Sequence, residues 1–528
     1  MKKIVALFII LECVCINVLQ AQEKPKLQKI LAGKYTPRNP RGTYYNTITR
    51  VNDHIHILSC MDRRIYGLFG SRGAAIYTLN HTIEDYNIVT KRSKKVEFPK
   101  ELSTENVDYV GKMRGKDEVV KYLFKQNVWS EKRNALIALE YDQKIGKFTN
   151  KQVLFEGPTQ KMGLSILEYF DRKDAGFKVY VNENQGMVAI VDYSTNGRGK
   201  DPTFNYVVKN YEGDIINFGE KIKADIDRFA NCLITPNGGI FVTQYPKRIK
   251  QKGEDEWENS LVLYKNGEEK VIDIAQKFTG YPRIFYSGSK VMIACTYGEE
   301  IGEYSGVYVA ELSENTASIS NEKYIDVRSL NITSTTERTS ARANRRSERR
   351  NKSYAESAYN VLTTVRVAPN GDITLLVERH YTYTEVVTTS NGRGSVSTRT
   401  IPHFVYGPGV VHCIDPTTLS HKNYAQFVYK IDVAYIDPGT GMEYIAAGND
   451  IIYTRIGTSL YRHTLNNESK TVANDEVTRE ERSKLRNARF KSIDKLKWSS
   501  MFVDDDKFYL LTANINEFKV DVVDEDRK

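Results

Sequence analysis

Apolar residues along this chain alternate with polar ones in short runs, with period two rather than the three-to-four spacing of an amphipathic helix. The runs come in pairs closed by a tight turn. Cys232 to Gln244 (CLITPNGGIFVTQ) parallels Val365 to Glu378 (VRVAPNGDITLLVE), and Pro-Asn-Gly makes the turn in both. Asn and Gly tolerate the positive φ that such a turn needs. Looser copies turn near Asn52-Asp53, Gly115-Lys116, Asn184 to Gly186, Ser287 to Ser289, Gly448-Asn449 and Asp504 to Asp506. The eight hairpins recur at a mean spacing of about 65 residues, the mark of a repeat architecture.

A third strand follows most hairpins: Ala74 to Leu79, Asn134 to Tyr141, Phe204 to Tyr211, Ser260 to Gly267 and Gly306 to Leu312. A fourth, more polar one comes next in KQVLFEG, DIINFGE, EKVIDIA and KYIDVRS. Four short antiparallel strands per unit, repeated radially, predict an all-β chain folded as a single β-propeller with up-and-down four-stranded blades. Eight blades are expected, or seven if the short unit around Gly448 merges with a neighbour. Leu27 to Tyr35 precede the first hairpin and are expected to supply the missing outer strand of the last unit, leaving no open edge. A row of β-sandwich domains is the alternative; the repeat and the lack of Pro/Ser/Gly-rich linkers argue against it. The turns at Pro236-Asn237-Gly238 and Pro369-Asn370-Gly371 resemble those of the TolB-like and related propellers, whose inner hairpins turn at Pro-Asp-Gly or Pro-Asn-Gly. That resemblance implies a fold and no activity.

In such a blade the first-to-second and third-to-fourth turns share one face. The second-to-third connections and the links between blades share the other. The first-to-second turns are uniformly tight. Long irregular segments fall in the second class: 63–73, 195–202, 245–259 and 385–402 within units, and 157–175, 328–357 and 474–497 between them. Binding residues favour variable loops on a rigid scaffold, so this face is the candidate surface. Three connections hold an arginine between glycines, at Arg72, Arg198 and Arg393. They are candidates for an anion or a sugar acid, although Asn-Gly turns need no ligand to explain them.

The insertion at 328–357 carries Arg338, Arg342, Arg345, Arg346, Arg349, Arg350 and Lys352; Arg345 and Arg346 join the candidate ligand-binding set. The insertion at 474–497 opens on a capping box, Thr478-x-x-Glu481, and places Leu485, Ala488, Ile493 and Leu496 on one helical face. It predicts one short amphipathic helix over about 478–496. Clustered cations bind phosphates, acidic glycans or anionic membranes, and equally often face water.

The first residues change the picture of where this surface works. Lys2 and Lys3 precede an apolar run from Ile4 to Leu11, and Leu19-Gln20-Ala21 offers a small residue before a cut. This reads as a signal peptide over 1–21 followed by a mature domain over 22–528, periplasmic or secreted. Glu12 and Val14 before Cys13 and Cys15 do not suit lipidation. Four cysteines remain (Cys60, Cys232, Cys295 and Cys413) with no metal-ligand spacing. Buried thiols or one long-range disulfide are expected.

The formal net charge of +10 is consistent with an anionic partner, and the 34 tyrosines suit half-buried strands and binding surfaces alike. The expected partner is an anionic glycan or another envelope protein, with no nucleic acid and no transmembrane segment, and the chain is expected to be a monomer. No Gly-x-Ser-x-Gly elbow, P-loop, HExxH, EF-hand loop or sialidase Asp-box occurs in the sequence. With three tryptophans, the repeated Trp motifs of quinone-cofactor propellers are excluded. No cofactor is expected. His54 and His56 share one side of a strand and would hold a metal if a distant carboxylate joined them. A His-x-His pair is more often structural, so no metal is assigned. The reading is a non-catalytic binding or scaffolding protein. The rival is a carbohydrate-active hydrolase with an Asp or Glu pair at the axis.

Overall fold

The computed structural model describes residues 27–523, apart from 35–42, 66–75, 101–105, 116–118, 129–132, 159–175, 194–201, 227–228, 245–246, 252–253, 259–260, 275–281, 299–303, 328–358, 391–395, 435–441, 457–458, 466–497, 505–506, 514–516 and a few single positions. The described residues are all-β, with no α-helix. The helix expected over 478–496 lies outside them, as does the segment 1–21.

The chain opens on β1 (Leu27–Lys34), to which its far end returns. The first sheet is β2 (Thr43–Val51), β3 (His54–Ile65), β4 (Ile76–Asn87) and β5 (Arg92–Glu97). The second is β6 (Asn106–Arg114), β7 (Val119–Val128), β8 (Arg133–Asp142) and β9 (Lys147–Pro158). The third is β10 (Phe177–Asn182), β11 (Met187–Asp192), β12 (Thr203–Lys209) and β13 (Ile215–Lys223). In the fourth, β14 (Phe229–Ile234) and β15 (Ile240–Gln244) are followed by a separate ribbon, β16 (Lys247–Gln251) with β17 (Glu254–Glu258). The sheet then resumes in β18 (Leu261–Lys265) and β19 (Glu268–Ile272).

The fifth sheet is β20 (Arg283–Ser287), β21 (Lys290–Tyr297), β22 (Gly306–Ser313) and β23 (Ser318–Asp326). The sixth holds β24 (Tyr359–Val367), β25 (Ile373–Ser390), β26 (Val396–Ile414) and β27 (His421–Phe427), with β28 (Ile431–Ala434) added on β26. The seventh has three strands among the described residues, β29 (Met442–Gly448), β30 (Ile451–Ile456) and β31 (Ser459–Thr464). The eighth is β32 (Trp498–Asp504), β33 (Lys507–Ala513) and β34 (Glu517–Val523), and β1 completes it.

β1 pairs antiparallel with β34 from Leu27↔Val523 to Lys34↔Glu517. The first strands β6, β10, β14, β20, β24, β29, β32 and β2 lie against one another in succession, and β4 meets β6 between the first and second sheets. The sheets therefore follow one another round a ring that both ends of the chain close: the protein is a β-propeller. The unit around Gly448 keeps its own sheet and pairs with neither neighbour. Among the described residues, eight sheets take part in this succession, the ribbon of β16 and β17 apart.

The middle strands read as unbroken apolar runs because both of their faces are buried. On β11, Val188 and Ile190 pack toward the second sheet, and Ala189 and Val191 toward the fourth. On β21, Val291, Ile293 and Cys295 face the fourth sheet, and Met292 and Ala294 face the sixth. Period two thus feeds two interfaces from one strand. Full burial of each large apolar side chain is worth about 1.5–3 kcal/mol. Outer strands such as β5 and β19 are largely exposed and polar.

Polar side chains near the axis are used to lock one sheet to the next. Lys125 Nζ donates to Phe177 O at 2.7 Å, Lys178 Nζ to Ile226 O at 2.7 Å, and Asn182 Nδ2 to Ile234 O at 2.8 Å. Tyr444 OH donates to Thr374 O at 2.7 Å. Cys232, Cys295 and Cys413 are free thiols on the fourth, fifth and sixth sheets. Burial pushes the Cys232 and Cys413 thiols up to about 12, so both stay protonated.

Candidate functional site

Three second-to-third strand connections extend as paired β-structure on the face singled out above. β3 and β4 stay paired to Ile65↔Ile76, past the last partner of β2 at Met61. The ribbon of β16 and β17 pairs a basic strand with an acidic one, Lys247↔Glu258 and Lys250↔Asp255, a register that opposite charges favour. The longest is the hairpin of β25 and β26. Its pairing with β24 stops at His380, yet β25 and β26 continue through ten further pairs, from Tyr381↔Val405 to Ser390↔Val396. At about 3.3 Å per residue this arm reaches roughly 30 Å. β28 pairs with its base at His403 to Tyr406. Cross-strand stacks stiffen the base: His380 on Tyr406 at 4.5 Å, and Tyr383 on His403 at 4.4 Å.

The segments 245–259 and 385–402, expected as irregular loops, are therefore largely strand. The alternation of Thr with Val and Tyr in TYTEVVTT suits a strand ladder, and its described exposed residues, among them Val386, Thr398 and Thr400, share one face. Arg72, Arg198 and Arg393 lie outside the described residues, in the connections that join β3 to β4, β11 to β12 and β25 to β26. Arg345 and Arg346 also lie outside them.

The opposite face, where the tight turns lie, carries two clusters of polar side chains. At the turn end of the first sheet, His56 pairs directly with Asp85 and His54 with Asn87, so all four share the face that meets the second sheet. His54 Nδ1 lies 2.6 Å from Asp85 Oδ1, and Tyr141 OH donates to Asp85 Oδ2 at 2.7 Å. His56 Nδ1 lies 2.6 Å from Tyr122 OH, and its Nε2 lies 3.1 Å from Gln143 Nε2 and 3.6 Å from Asp85 Oδ1. The backbone N–H of Thr90 donates to Asn87 Oδ1 at 2.7 Å and so fixes the amide. Asn87 Nδ2 then donates to His54 Nε2 at 3.0 Å, which puts the His54 proton on Nδ1, toward Asp85. Burial, opposed by Asp85, lowers the His56 pKa to about 4, so that ring is neutral at pH 7.

The second cluster joins the sixth and seventh sheets. Asp372 follows the Pro-Asn-Gly turn, and its Oδ2 takes Lys422 Nζ at 2.8 Å and Asn370 Nδ2 at 3.0 Å. Asn423 Nδ2 donates to Asp450 Oδ1 at 2.8 Å. The Asp372 and Asp450 carboxylates and the Cys413 thiol have ligand atoms within 4.8 Å of one another. Lys422 already supplies the compensating cation. Deeper in the same interface, Glu378 is fully buried and accepts from Tyr429 OH and from Met442 N at 3.0 Å. A further polar hollow between the fourth and fifth sheets is lined by Lys265, Glu268, Lys270 and Glu314, where Lys265 pairs with Glu314 at 2.8 Å.

Sequence reasoning found His54 and His56 and missed Asp85. The signal that would have found it is the cross-strand pairing of β3 with β4, which depends on the length of a connection that no local motif encodes.

No family model matches the chain, and no curated protein does. Solved structures show similarity at low identity. The β-propeller domain of the Trilobed protease from Pyrococcus furiosus is 9% identical over 72% of this chain and 98% of that one, with a TM-score of 0.32. The WD40 domain of SCAP from fission yeast is 7% identical over 84% and 99%, at 0.32. The acylaminoacyl peptidase of Pyrococcus horikoshii is 12% identical over 89% and 57%, at 0.33.

Proposed function

We propose that the protein is an exported, non-catalytic binding or scaffolding protein of the cell envelope or extracellular space. Its ligand sits on the face of the second-to-third strand connections. The observation that carries this reading is the arm of β25 and β26, which outruns the blade it grows from by ten residue pairs. Beyond its base, where Val405 is buried, the arm runs past the strands of its own sheet. It presents Tyr, Thr and Val positions, with Val386 55% exposed, to whatever lies above that face. An anionic glycan is the ligand class that fits the arginines in these connections. Export rests on the first 21 residues, and intact mass of the native protein tests it: loss of 1–21 without an added lipid supports export, and retention of Met1 contradicts it.

Binding is tested by titrating acidic polysaccharides against the native protein and against the triple variant Arg72→Ala, Arg198→Ala, Arg393→Ala. Weaker binding in the variant, with the difference growing as salt is lowered, supports the reading. Equal binding returns the three arginines to turn residues.

A carbohydrate-active hydrolase is the second reading, and Asp372 and Asp450, whose carboxylate ligand atoms lie within 4.8 Å of each other, are the described acid pair it would use. Turnover of chromogenic glycosides that disappears in Asp450→Asn would replace the binding reading.

A further inference from the structure

We propose that His54, His56 and Asp85 form a site for a divalent transition-metal ion such as Zn²⁺, with the remaining coordination open to solvent on the side of His54. Two imidazoles and one carboxylate are a ligand set that suits zinc and its neighbours, with open positions left for water. The three donor atoms lie within 4.8 Å of one another. His54 Nδ1 and His56 Nε2 both aim at one oxygen, Asp85 Oδ1, at 2.6 and 3.6 Å. His56 Nε2 is also 3.1 Å from the Gln143 amide nitrogen, a contact that an ion at this point would displace. An ion where the three atoms converge engages all of them.

The surroundings have the form of a second layer around a metal. Each ligand's other polar atom is held: His56 Nδ1 by Tyr122, Asp85 Oδ2 by Tyr141, and His54 Nε2 by Asn87. Outer partners of this kind fix ring orientation and tautomer. His56 and Asp85 are almost fully buried, whereas the His54 side chain is 20% exposed and gives the ion an entrance.

Binding has a proton balance. In the metal-free protein the His54 Nδ1 proton points at Asp85. The ion takes that position and the ring proton moves to Nε2, so His54 changes tautomer and no proton is released. Nε2–H now needs an acceptor, so the Asn87 amide turns over to offer Oδ1, and the exposed Thr90 N–H takes water instead. A carboxylate at position 87 would meet that need without rearrangement.

The test uses untagged, chelator-treated protein titrated with Zn²⁺ by calorimetry. One saturable equivalent is expected in the native chain. Asp85→Asn and His56→Gln should bind at least about tenfold more weakly, and Asn87→Asp about tenfold more tightly, as outer-layer changes at metal sites do. Thermal melts in the presence of chelator show that each variant is folded. Absence of a saturable equivalent in the native protein overturns the proposal. So does undiminished binding in Asp85→Asn. Should Asp85→Asn or His56→Gln fail to fold, Asn87→Asp decides: unchanged affinity there contradicts the site.

Discussion

His412 is the described side chain on which mild acid acts most directly. It is fully buried, with Nε2 2.8 Å from Tyr304 OH and Nδ1 3.3 Å from His421 Nε2. Burial, helped by His421, lowers its pKa from 6.5 to about 3. The unfolded chain therefore takes up a proton below pH 6.5 that the folded chain refuses, and stability falls as pH drops through that window. At about 1.4 kcal/mol per pH step, roughly 2 kcal/mol is lost between pH 7 and pH 5 from this residue alone. Thermal melts at the two pH values check it: His412→Gln should show a smaller acid drop than the native protein, and an equal drop contradicts the account. His421, also lowered by burial, adds a second contribution of the same sign. None of this was legible in the sequence. His412 reads as one polar position in an apolar run, and its two partners, Tyr304 just before β22 and His421 on β27, are not local to it.

The hairpin turns were the most legible elements, since their geometry is local. All eight turns named from the sequence join the first and second strands of a sheet, from Val51 and His54 in the first to Asp504 and Lys507 in the eighth. Gly238 shows why the residue types are constrained. Its φ is +82°, and a Cβ there would meet Ile216 Cγ2 at 2.7 Å. Gly288 has a similar φ of +59° and nothing within 4 Å. Both replacements by Ala incur the left-handed penalty of about 1–2 kcal/mol, and only Gly238→Ala adds a clash. Denaturant unfolding should rank Gly238→Ala as the more damaging, and the reverse order would contradict this reading of the turn.

The long connections were less legible, because a ladder outside the core carries no fully buried side to announce it. The arm of β25 and β26 makes an expectation of its own. Replacing 385–401 with a two-residue Asn-Gly turn should leave the melting temperature within a few degrees of native while reducing glycan binding. Collapse of the fold would show that the arm is structural.

At the scale of the whole molecule, sheets that are each buried on both faces must go round until the last meets the first, and β1 on β34 makes that junction. The outer strand expected before the first hairpin is found at Leu27–Lys34, paired with the last strand. What the sequence withheld is which distant polar residues meet between sheets, as Asp85 does with Tyr141 and Glu378 with Tyr429. Those meetings depend on how the ring is assembled.

Ring closure is also what holds the candidate face and both polar clusters in place, and native-state hydrogen exchange reads it directly. If β1 closes the ring, the paired amides of 27–34 and 517–523 should exchange as slowly as those of the middle strands β8 and β21, on the scale of global unfolding. Exchange of 27–34 within seconds, while the middle strands stay protected, would contradict the closed ring.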